Sequence, residues 1–594
     1  MFILGIVEGH NCSAALLNNG QVVAVCFEER LSRLKNDFGY PKKSIEYCLS
    51  VAGITGADLD CVALVSKNLP LTQLAVKREA TFSVEDYQRE QEEFWKPVLL
   101  EGKKTDYLEV FSDKLYLEEL NYDFTEEELN SPSDIDLLKV RYRTLSNHLG
   151  VESDRVKMVH HHLAHSLYAV YSTPDYREKQ NKGMLVLASD GYGDDCSASV
   201  GVFKNGSFEF LSKSPKSGLG RIYRYATLLL NMRPGVDEYK VMGLAPYSKE
   251  YHWSKAYKEF LPYLKVNGLE IDFTNPDKDI YFSLKQRLKS SRFDGLAGGL
   301  QHYTEEISKQ WVKSCVEKTG LKDIVYSGGV SMNIKVNQSL LALDEVESLF
   351  VGPSGGDESL SIGAAWAACA EDFPEVEIQP LANTYLGPEY EKSEVCGFID
   401  TYLPNGFHVY EDPTIDTVSE VLASGRVVAR ACGRMEYGAR SLGNRSILAD
   451  ARSLETKQKI NDKIKRRDFW MPFAPVILNE RVSDYVQNPK EIFSPYMTIG
   501  FDSTAKARQE LIAGLHPADY TMRPQMLTKQ MNPELHALIS AYESKTGVGG
   551  LVNTSFNLHG EPICESPKDS IKTFLNSELD VLLMDGYLVS REAL

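Results

Sequence analysis

The chain has 594 residues, 43% of them hydrophobic, which is enough for a large core and too long for one compact domain. Its formal net charge of −18 argues against a nucleic-acid-binding protein or one that binds anionic membranes. Ten cysteines without a CxxC pair, an N-terminus unlike a signal peptide and the lack of a bilayer-spanning apolar run predict a cytoplasmic protein.

The first predicted elements are the strand "FILGIVEG" and a hairpin that turns at Asn19-Gly20. The same layout returns in "MLVLASDGYGDDCSASVGVFKNGSFEFL", where Asp190 takes the place of Glu8 and the turn is Asn205-Gly206. The shared strand-end acid, Cys-Ser-Ala tripeptide and turn indicate a duplication. Such a repeat resembles the actin/sugar-kinase (ASKHA) superfamily, so we predict an α/β fold with two like lobes.

Residues 70 to about 145 lie between the repeats. They are rich in acidic residues, contain scattered aromatic residues, and mostly show the hydrophobic period of a helix. We interpret them as a helical insertion that forms a solvated cover rather than a substrate site. The segment "PEVEIQPLANTYLGPEY" is rich in proline and predicts a domain boundary near 375–385. The sequence therefore predicts a first domain over 1–375 and a second α/β domain over 385–594.

The stretch "HHHLAH" places four histidines within six positions. On a helix, His161 and His165 would lie one turn apart on one face, close enough to share a metal ion. Zinc proteases use the same spacing, but they need Glu directly after the first histidine, and this chain has His162. The spacing therefore favours a metal site without protease chemistry, and His160 is expected to be a bystander.

Two imidazoles need further metal ligands, and two acids at strand or loop ends are available. Asp190 ends the strand of the second repeat, and Asp357 lies in "GGDESLSIGAA" just before a predicted helix. Each would otherwise cap a turn or a helix. Imidazoles and carboxylates without a thiolate suit Fe(II), Mn or Zn, so the residues leave the metal open.

The stretch "YSGGVSMN" predicts the end of a strand, a glycine turn and the start of a helix. Gly328 and Gly329 would let the backbone approach a ligand, and N–H groups at the helix start could hold phosphate or ribose. An ordinary strand-to-helix turn has the same pattern, so this motif alone leaves both interpretations open.

An ordered series of motifs runs nearly from end to end of the chain. It includes "ILGIVEGHNCSAAL", "HHLAH", "SDGYGD", "DEYKVMGLAPY", "YSGGVSMN", "GGDESLSIGAA", "GRMEYGARSLGNRSILADAR", "KIKRRDFWMPFAP" and "LVNTSFNLHGEPICESP". Together these motifs resemble the NodU/CmcH O-carbamoyltransferases, which modify nodulation factors and antibiotics. The resemblance leaves out chiefly the insertion at 70–145.

The resemblance implies an N-terminal metal-binding ATPase-fold domain and a C-terminal YrdC-like domain. It also implies that the YrdC-like domain makes carbamoyl-adenylate from carbamoyl phosphate and ATP, and that an alcohol accepts the carbamoyl group in the first domain. A divalent metal, with Fe(II) favoured and Mn or Zn as alternatives, would stabilise the adenylate phosphate. Its ligands, carried over residue by residue, would be His161, His165, Asp190 and Asp357.

His10 matches the family histidine proposed as the general base beside the acceptor. The family has Asp at the next position, where this chain has Asn11, so a charge beside the base is lost. Glu8 would either recognise a cationic acceptor or form a hydrogen-bonded strand end, and His162 would contact either the ligand or the residues that bind it. The acceptor would be a small-molecule alcohol of antibiotic or toxin biosynthesis, and the acidic balance favours a cation such as a guanidinium alkaloid of the saxitoxin kind.

Further residues match family motifs as nucleotide and phosphate ligands. In the first domain these are Lys240, Gly328, Gly329 and Asn333. The second domain supplies a basic site, because guanidinium groups match phosphate oxygens in pairs. We predict that carbamoyl phosphate and ATP bind there to Arg440, Arg445, Lys463, Lys465, Arg467, Arg523, Asn553, Ser555 and Asn557. The family usually has Arg in place of Met471, so one phosphate contact is absent or supplied by a neighbour.

Two other functions remain open from the sequence. The duplicated lobe alone would suit a nucleotide-binding kinase, although the basic second domain argues against this. Asn11 and Met471 would suit a regulatory protein of the sugar-kinase/actin superfamily that has lost its chemistry, although the spaced histidine pair argues against that. The sequence does not indicate an oligomeric state.

Overall fold

The computed structural model describes residues 1–215, 217–274, 277 and 279–594. The chain forms two compact units, Met1–Leu381 and Ala382–Leu594. The division falls inside the segment 375–385, where prolines interrupt regular structure. No helix among the described residues is long and apolar enough to cross a membrane.

The first unit contains a five-stranded sheet built from continuous apolar runs, which are typical of strands buried on both faces. Its strands are β1 (Phe2–Val7), β2 (Ser13–Asn18), β3 (Gln21–Phe27), β4 (Cys61–Val65) and β5 (Val156–Val159). The strand order is β3-β2-β1-β4-β5. An antiparallel meander forms one side of the sheet, and β4 and β5 extend the other side in parallel.

A second five-stranded sheet in the same unit repeats this topology. The strands that follow in the chain are β6 (Met184–Gly193), β7 (Cys196–Lys204), β8 (Ser207–Ser214), β9 (Leu264–Asn267), β10 (Glu270–Phe273), β11 (Asp323–Ser327) and β12 (Ser348–Val351). The order in the sheet is β12-β11-β6-β7-β8, while β9 and β10 form a separate hairpin. The repeated order confirms the predicted duplication and the actin/sugar-kinase-like fold.

Both meanders turn on the Asn-Gly pair that the sequence predicts. The φ angles are 45° and 81° at Asn19-Gly20 and 51° and 78° at Asn205-Gly206. Two consecutive residues with positive φ define the two-residue turn that suits the right-handed twist of a hairpin. The two copies of the repeated unit therefore share their turn chemistry.

Helices cover these sheets, and Leu360–Asp372 packs against His161–Tyr171 and against β1 and β4. Small residues permit this close packing, since a Cβ on Gly363 would lie 2.0 Å from the Ala164 carbonyl oxygen. The other helices of the unit outside the insertion are Glu28–Ser32, Lys42–Ala52, Tyr176–Lys179, Leu219–Leu229, Glu238–Leu244, Glu250–Phe260, Ile280–Leu288, Phe293–Thr319 and Ile334–Leu341.

The insertion is largely helical, as its sequence period predicts. Its buried aromatic residues, including Phe82 and Phe111 with ring centroids 4.8 Å apart, join the hydrophobic core of the first sheet. The insertion is therefore an integral part of this lobe. Its helices are Leu71–Ala75, Arg78–Thr81, Val84–Arg89, Lys96–Leu99, Tyr107–Val110, Glu126–Asn130 and Leu137–Leu149, with a π-helical segment at Glu90–Trp95.

The second unit is a separate α/β domain, as predicted. Its strands are β13 (His408–Glu411), β14 (Val428–Ala431), β15 (Arg445–Asp450), β16 (Ala474–Leu478), β17 (Val486–Gln487), β18 (Phe501–Ser503), β19 (Thr521–Met522), β20 (Gln525–Leu527), β21 (Gly550–Ser555), β22 (Val581–Met584) and β23 (Tyr587–Ser590). They form a mixed sheet of order β13-β23-β22-β14-β15-β21-β16-β20 and a small sheet β17-β18-β19. The helices are Lys392–Tyr402, Ile415–Ala423, Leu454–Ile460, Val482–Tyr485, Ala505–Glu510, Pro533–Thr546 and Pro567–Leu575.

Candidate active site

The histidine-rich stretch forms the start of the buried helix His161–Tyr171, which follows β5. His160 is the N-cap, and its ring accepts a hydrogen bond from the His162 backbone N–H. His161 and His165 lie on one face, one turn apart, with ring centroids 4.8 Å apart. The helical spacing of the pair is therefore as predicted, and His160 has a structural role.

Two acidic side chains lie beside the histidine pair. One ligand atom from each of His161, His165, Asp190 and Asp357 lies within 4.8 Å of the others. His161 Nε2 is 3.2 Å from Asp190 Oδ2, and the Nε2 atoms of His161 and His165 are 3.7 and 3.6 Å from Asp357 Oδ1. The acids come from β6 and from the turn before helix Leu360–Asp372, so elements far apart in the sequence converge at one point.

Two serines orient the imidazole rings from the opposite side. Ser66 Oγ is 3.2 Å from His161 Nδ1, and Ser327 Oγ is 3.1 Å from His165 Nδ1. Each contact turns Nε2 toward the acids, and the buried Nε2 of His165 has no hydrogen-bond partner among the described residues. Two imidazole nitrogens held in this way beside two carboxylates fit a divalent ion such as Fe(II), Mn or Zn.

The histidines and acids of this cluster shift the pKa values of one another. Burial by itself would lower the pKa of His161, but the carboxylates of Asp357 and Asp190 raise it to about 9. Burial would likewise raise the pKa of Asp190, whereas its hydrogen bond to His161 and the charge of His165 hold it well below its usual range. The two acids thus stabilise positive charge at this point, which is the charge that a divalent cation would supply.

The glycine turn after β11 approaches Asp190 directly. The Gly329 N–H donates a hydrogen bond to Asp190 Oδ1 at 2.9 Å. Gly328 has a φ of 90°, and a Cβ there would lie 2.3 Å from the Ser189 carbonyl oxygen. The turn therefore needs glycine to hold a proposed metal ligand, while the nucleotide role of Gly328 and Gly329 stays a prediction.

Two other predicted nucleotide ligands have partners within the protein. The Asn333 side-chain oxygen caps helix Ile334–Leu341, and its amide exchanges hydrogen bonds with Gln301. These contacts use both ends of the amide in the ligand-free protein, and the nucleotide role of Asn333 stays a prediction. Lys240 Nζ lies 3.3 Å from Asp237 in an ion pair, and its contact with nucleotide stays a prediction.

Glu8 and His162, the two predicted acceptor-binding residues, are buried and have partners within the protein. Glu8 is 1% exposed, and its carboxylate accepts a 2.6 Å hydrogen bond from Arg141 Nε, which neutralises its charge. His162 is fully buried, with Nδ1 3.0 Å from Ser199 Oγ and Nε2 3.1 Å from the Cys196 carbonyl oxygen. The charge of Glu8 and both ring nitrogens of His162 thus have partners within the protein, and the acceptor-binding roles of the two residues stay predictions.

His10 follows β1 and lies beside Asn11, as its position in the sequence requires. Asn11 Nδ2 is 3.1 Å from His10 Nε2 and 3.4 Å from Glu358 Oε2. Glu358 is not among the predicted residues, and its only signal in the sequence is its place directly after Asp357. The Asp357-Glu358 pair thus faces both the histidine cluster and the His10 loop.

Three consecutive charged residues of the insertion are also buried. Lys77, Arg78 and Glu79 are 4%, 9% and 4% exposed. Glu79 pairs with Arg224 and, at 3.2 Å, with Arg78. Burial would raise the pKa of Glu79, but Arg224, Arg78 and the nearby His10 lower it to about 2. The interpretation of the insertion as a solvated cover is therefore wrong here, and three adjacent charges gave no sign of burial because such residues are usually exposed.

The second domain gathers another set of predicted residues around Lys465. Its buried Nζ lies 3.1 Å from Ser555 Oγ and 2.7 Å from Asn557 Oδ1. Burial and the nearby Arg467 lower the pKa of Lys465 well below its ordinary value. Uncharged oxygens therefore hold this amino group, and no carboxylate of the described residues forms an ion pair with it.

Arginines repel one another in the same region. Burial, Arg440 and Arg467 lower the pKa of Arg523 well below its ordinary value. A guanidinium group nevertheless stays protonated in proteins, so the repulsion disfavours the ligand-free state. An anion bound among Arg440, Arg467, Arg523 and Lys465 would remove this penalty, and the cluster therefore has the electrostatics of an anion site.

Three predicted phosphate ligands of this domain have partners within the protein. Arg445 is buried and donates to backbone carbonyl groups of several loops. Lys463 Nζ lies 2.7 Å from an Asp580 oxygen, and the buried Asn553 amide donates to Gln525 at 2.8 Å. Buried polar groups need such partners, and the phosphate-binding roles of the three residues stay predictions.

Comparisons with known proteins find similar proteins for nearly the whole chain. Family models described as carbamoyltransferase N-terminus and C-terminus match residues 2–366 and 419–591. Nodulation protein NolNO of Sinorhizobium fredii is 30% identical over 98% of this chain and 79% of its own length. An uncharacterized protein of Methanocaldococcus jannaschii is 29% identical over 99% of each chain.

Among solved structures, component A of the Acidaminococcus fermentans (R)-2-hydroxyglutaryl-CoA dehydratase overlaps 62% of this chain and 97% of its own. The TM-score is 0.32 and the identity 13%, a likeness too slight to bear on activity. The two family models, by contrast, span most of the chain. The chain therefore belongs to the carbamoyltransferase family of NodU/CmcH type, and it is a carbamoyltransferase.

Proposed function

We propose that this carbamoyltransferase depends on ATP and transfers the carbamoyl group to a hydroxyl of a small-molecule natural product. The observation that carries the proposal is the convergence of His161, His165, Asp190 and Asp357 within 4.8 Å. Such a donor set suits a divalent metal, and the basic cluster of the second domain suits phosphate groups. The two clusters together match a reaction that uses a metal and several phosphates.

In the proposed first reaction, carbamoyl phosphate, ATP and water give carbamoyl-adenylate, pyrophosphate and phosphate. Arg440, Arg467 and Arg523 of the second domain would neutralise the phosphoryl groups, because guanidinium groups bind phosphate oxygens in pairs. Lys465 would add a further positive charge once an anion is present. Ser555 and Asn557, which hold Lys465, would orient it.

In the proposed second reaction, the acceptor hydroxyl attacks the carbamoyl carbon in the first domain. His10 takes the hydroxyl proton as the new C–O bond forms, a contribution of about 10²–10⁴-fold in rate. The bond from the same carbon to the adenylate phosphate oxygen breaks, and AMP leaves with that electron pair. A metal ion held by the two histidines and two acids would supply Lewis-acid stabilisation of the phosphate.

The acceptor that we propose is a hydroxyl-bearing molecule of antibiotic or toxin biosynthesis. Its charge is open, because Glu8, which favoured a cation, is paired with Arg141. A panel of a guanidinium alkaloid of the saxitoxin kind, an aminoglycoside and a neutral sugar would test the charge preference. A product from only one of the three would define the acceptor class.

Incubation of the purified protein with ATP and carbamoyl phosphate tests the proposal. We expect pyrophosphate without an acceptor, and AMP together with a product heavier by one carbamoyl group when an acceptor is added. Mass spectrometry and nucleotide chromatography measure both outcomes. Formation of ADP would contradict the proposal and support a kinase, and nucleotide binding without turnover or metal would support a regulatory protein.

A further inference from the structure

The Asp357-Glu358 pair sends its two carboxylates to different places. Asp357 lies against the paired histidines, whereas Glu358 is 3% exposed and accepts a hydrogen bond from Asn11 Nδ2. The other Glu358 oxygen accepts a hydrogen bond from Ser354 Oγ, and its main-chain carbonyl accepts one from Ser13 Oγ at 2.8 Å. Glu358 is therefore fixed on three sides and has little freedom to leave Asn11.

Asn11 lies between Glu358 and His10, and its position determines which atoms donate. Its Nδ2 is 3.4 Å from Glu358 Oε2 and 3.1 Å from His10 Nε2. An amide nitrogen has two hydrogens to donate and cannot accept, so His10 Nε2 is the acceptor. If the amide were turned over, its oxygen would face the Glu358 carboxylate, and two acceptors would oppose each other.

The ring proton of neutral His10 therefore belongs on Nδ1. A neutral imidazole carries one proton, and the nitrogen that accepts a hydrogen bond is the one without it. Nδ1 of His10 is buried and has no hydrogen-bond partner among the described residues, although the residue as a whole is partly exposed. A hydroxyl arriving from solvent would thus reach Nε2 rather than Nδ1.

We infer that Glu358 is a positioning residue that acts through Asn11 to hold His10 in the Nδ1–H tautomer. This inference rests on the proposed function, in which His10 removes the hydroxyl proton. The Nε2 lone pair is then available to the acceptor, and the arriving hydroxyl replaces the Asn11 N–H as its partner. The proton moves to Nε2 as the C–O bond forms and AMP departs.

The same geometry explains the residue at position 11. An Asp in place of Asn11 would accept a hydrogen bond from His10, which puts the proton on Nε2 and removes the lone pair there. It would also place a second carboxylate beside Glu358 in a partly buried site, where like charges repel. Asn11 has a φ of 57°, a left-handed conformation that Asn tolerates better than most residues. Asn11 is therefore matched to Glu358.

Nitrogen NMR of protein labelled with ¹⁵N-histidine reports the tautomer directly, at a pH of about 8 where an ordinary imidazole is neutral. The ¹⁵N signals that disappear in the His10→Gln variant are those of the His10 ring. We expect a pyrrole-type Nδ1 and a pyridine-type Nε2 in the unmodified protein, the reverse in Asn11→Asp, and a mixture in Glu358→Leu. Glu358→Gln, which keeps an acceptor oxygen, should retain most of the Nδ1–H form.

Activity provides the second measurement. Glu358→Leu should lower carbamoyl transfer in proportion to the fraction of the Nδ1–H form that it loses, while pyrophosphate formation is unchanged. Glu371→Leu is the matched control, because Glu371 is an exposed glutamate whose side chain is 67% accessible. Unchanged pyrophosphate formation and metal content show that each variant is folded.

Two results would overturn the inference: an Nε2–H tautomer in the unmodified protein, or an unchanged tautomer ratio in both Asn11→Asp and Glu358→Leu. The proposed function fails separately, if the unmodified protein forms no carbamoylated product with any acceptor of the panel. The NMR result does not depend on turnover, so the two failures are distinguishable.

Discussion

The two clusters of charged residues in this protein shift protonation in opposite directions. In the first domain, Asp357 and Asp190 overcome burial and raise the pKa of His161 to about 9. In the second domain, burial and neighbouring arginines lower the pKa of Lys465 and of Arg523. Under the proposed function, these directions match a cation bound in the first domain and an anion bound in the second.

The largest effect that would test this comparison is expected from His165→Ala. Its Nε2 faces Asp357, and its removal leaves one imidazole and two acids, which should hold a divalent ion more weakly than four ligands do. Carbamoyl transfer should fall by about 10³-fold, or about 4 kcal/mol of transition-state stabilisation. Metal analysis and product mass measure the two losses, and pyrophosphate formation should continue.

The matched control is His160→Ala, because His160 lies at the start of the same helix and its ring packs near Phe210 instead of the acids. This variant should keep its metal and its transfer activity. Equal metal content in His165→Ala and the unmodified protein would contradict the assignment of a metal site to this cluster.

The next effect concerns Arg523→Met in the anion site. Loss of one positively charged donor to a phosphate should lower pyrophosphate formation by about 10²–10³-fold. The same change removes repulsion from Arg440 and Arg467, so the melting temperature of the ligand-free protein should rise by about 2 °C. Activity assays and thermal unfolding measure both effects.

Arg466→Met is the control for this variant, since Arg466 is exposed on the same segment as Arg467. It should change neither activity nor melting temperature. A fall in the melting temperature of Arg523→Met would mean that Arg523 stabilises the ligand-free protein, which contradicts the assignment of an anion site.

A smaller effect is expected from Ser327→Ala. Ser327 Oγ is 3.1 Å from His165 Nδ1, and groups that orient a metal-binding histidine in this way contribute about 10–100-fold in metal affinity. Competition with a chelating dye measures the affinity. Ser50→Ala, at an exposed serine, should have no effect, and unaltered affinity in Ser327→Ala would rule out the orienting role.

The smallest effect is proton uptake when carbamoyl phosphate binds. The pKa of Lys465 is lowered in the ligand-free protein, so its deprotonated form is present closer to neutral pH than in an ordinary lysine. A bound dianion raises this pKa again, so binding takes up as much as about one proton. Affinity should therefore rise as the pH falls through the pKa of the bound form.

Titration calorimetry at a pH of about 8, in two buffers with different ionisation enthalpies, measures this uptake. Lys465→Met should abolish the difference between the buffers. An identical binding enthalpy in both buffers for the unmodified protein would show that Lys465 remains charged without ligand.

The accuracy of the sequence predictions depends on the range of the interactions involved. The spacing of His161 and His165 and the turn at Asn19-Gly20 were predictable, because each depends on neighbouring residues. Asp190 and Asp357 were also predictable, since acids at strand and loop ends gather at the mouth of such a fold. The partners of Arg445 and Asn333 within the protein were not predictable, because a motif does not show whether a polar side chain already has partners.

The sequence by itself determined the duplicated unit, the helical histidine pair and the order of the two domains, all of which follow from local periodicity and repeated motifs. Only the tertiary structure decided which charges are satisfied inside the protein and which are available for ligands. Glu8 meets Arg141 across 133 positions, and Asn11 meets Glu358 across 347. Such partners depend on how distant elements pack, because hydrogen bonds and ion pairs act over a few ångströms regardless of separation along the chain.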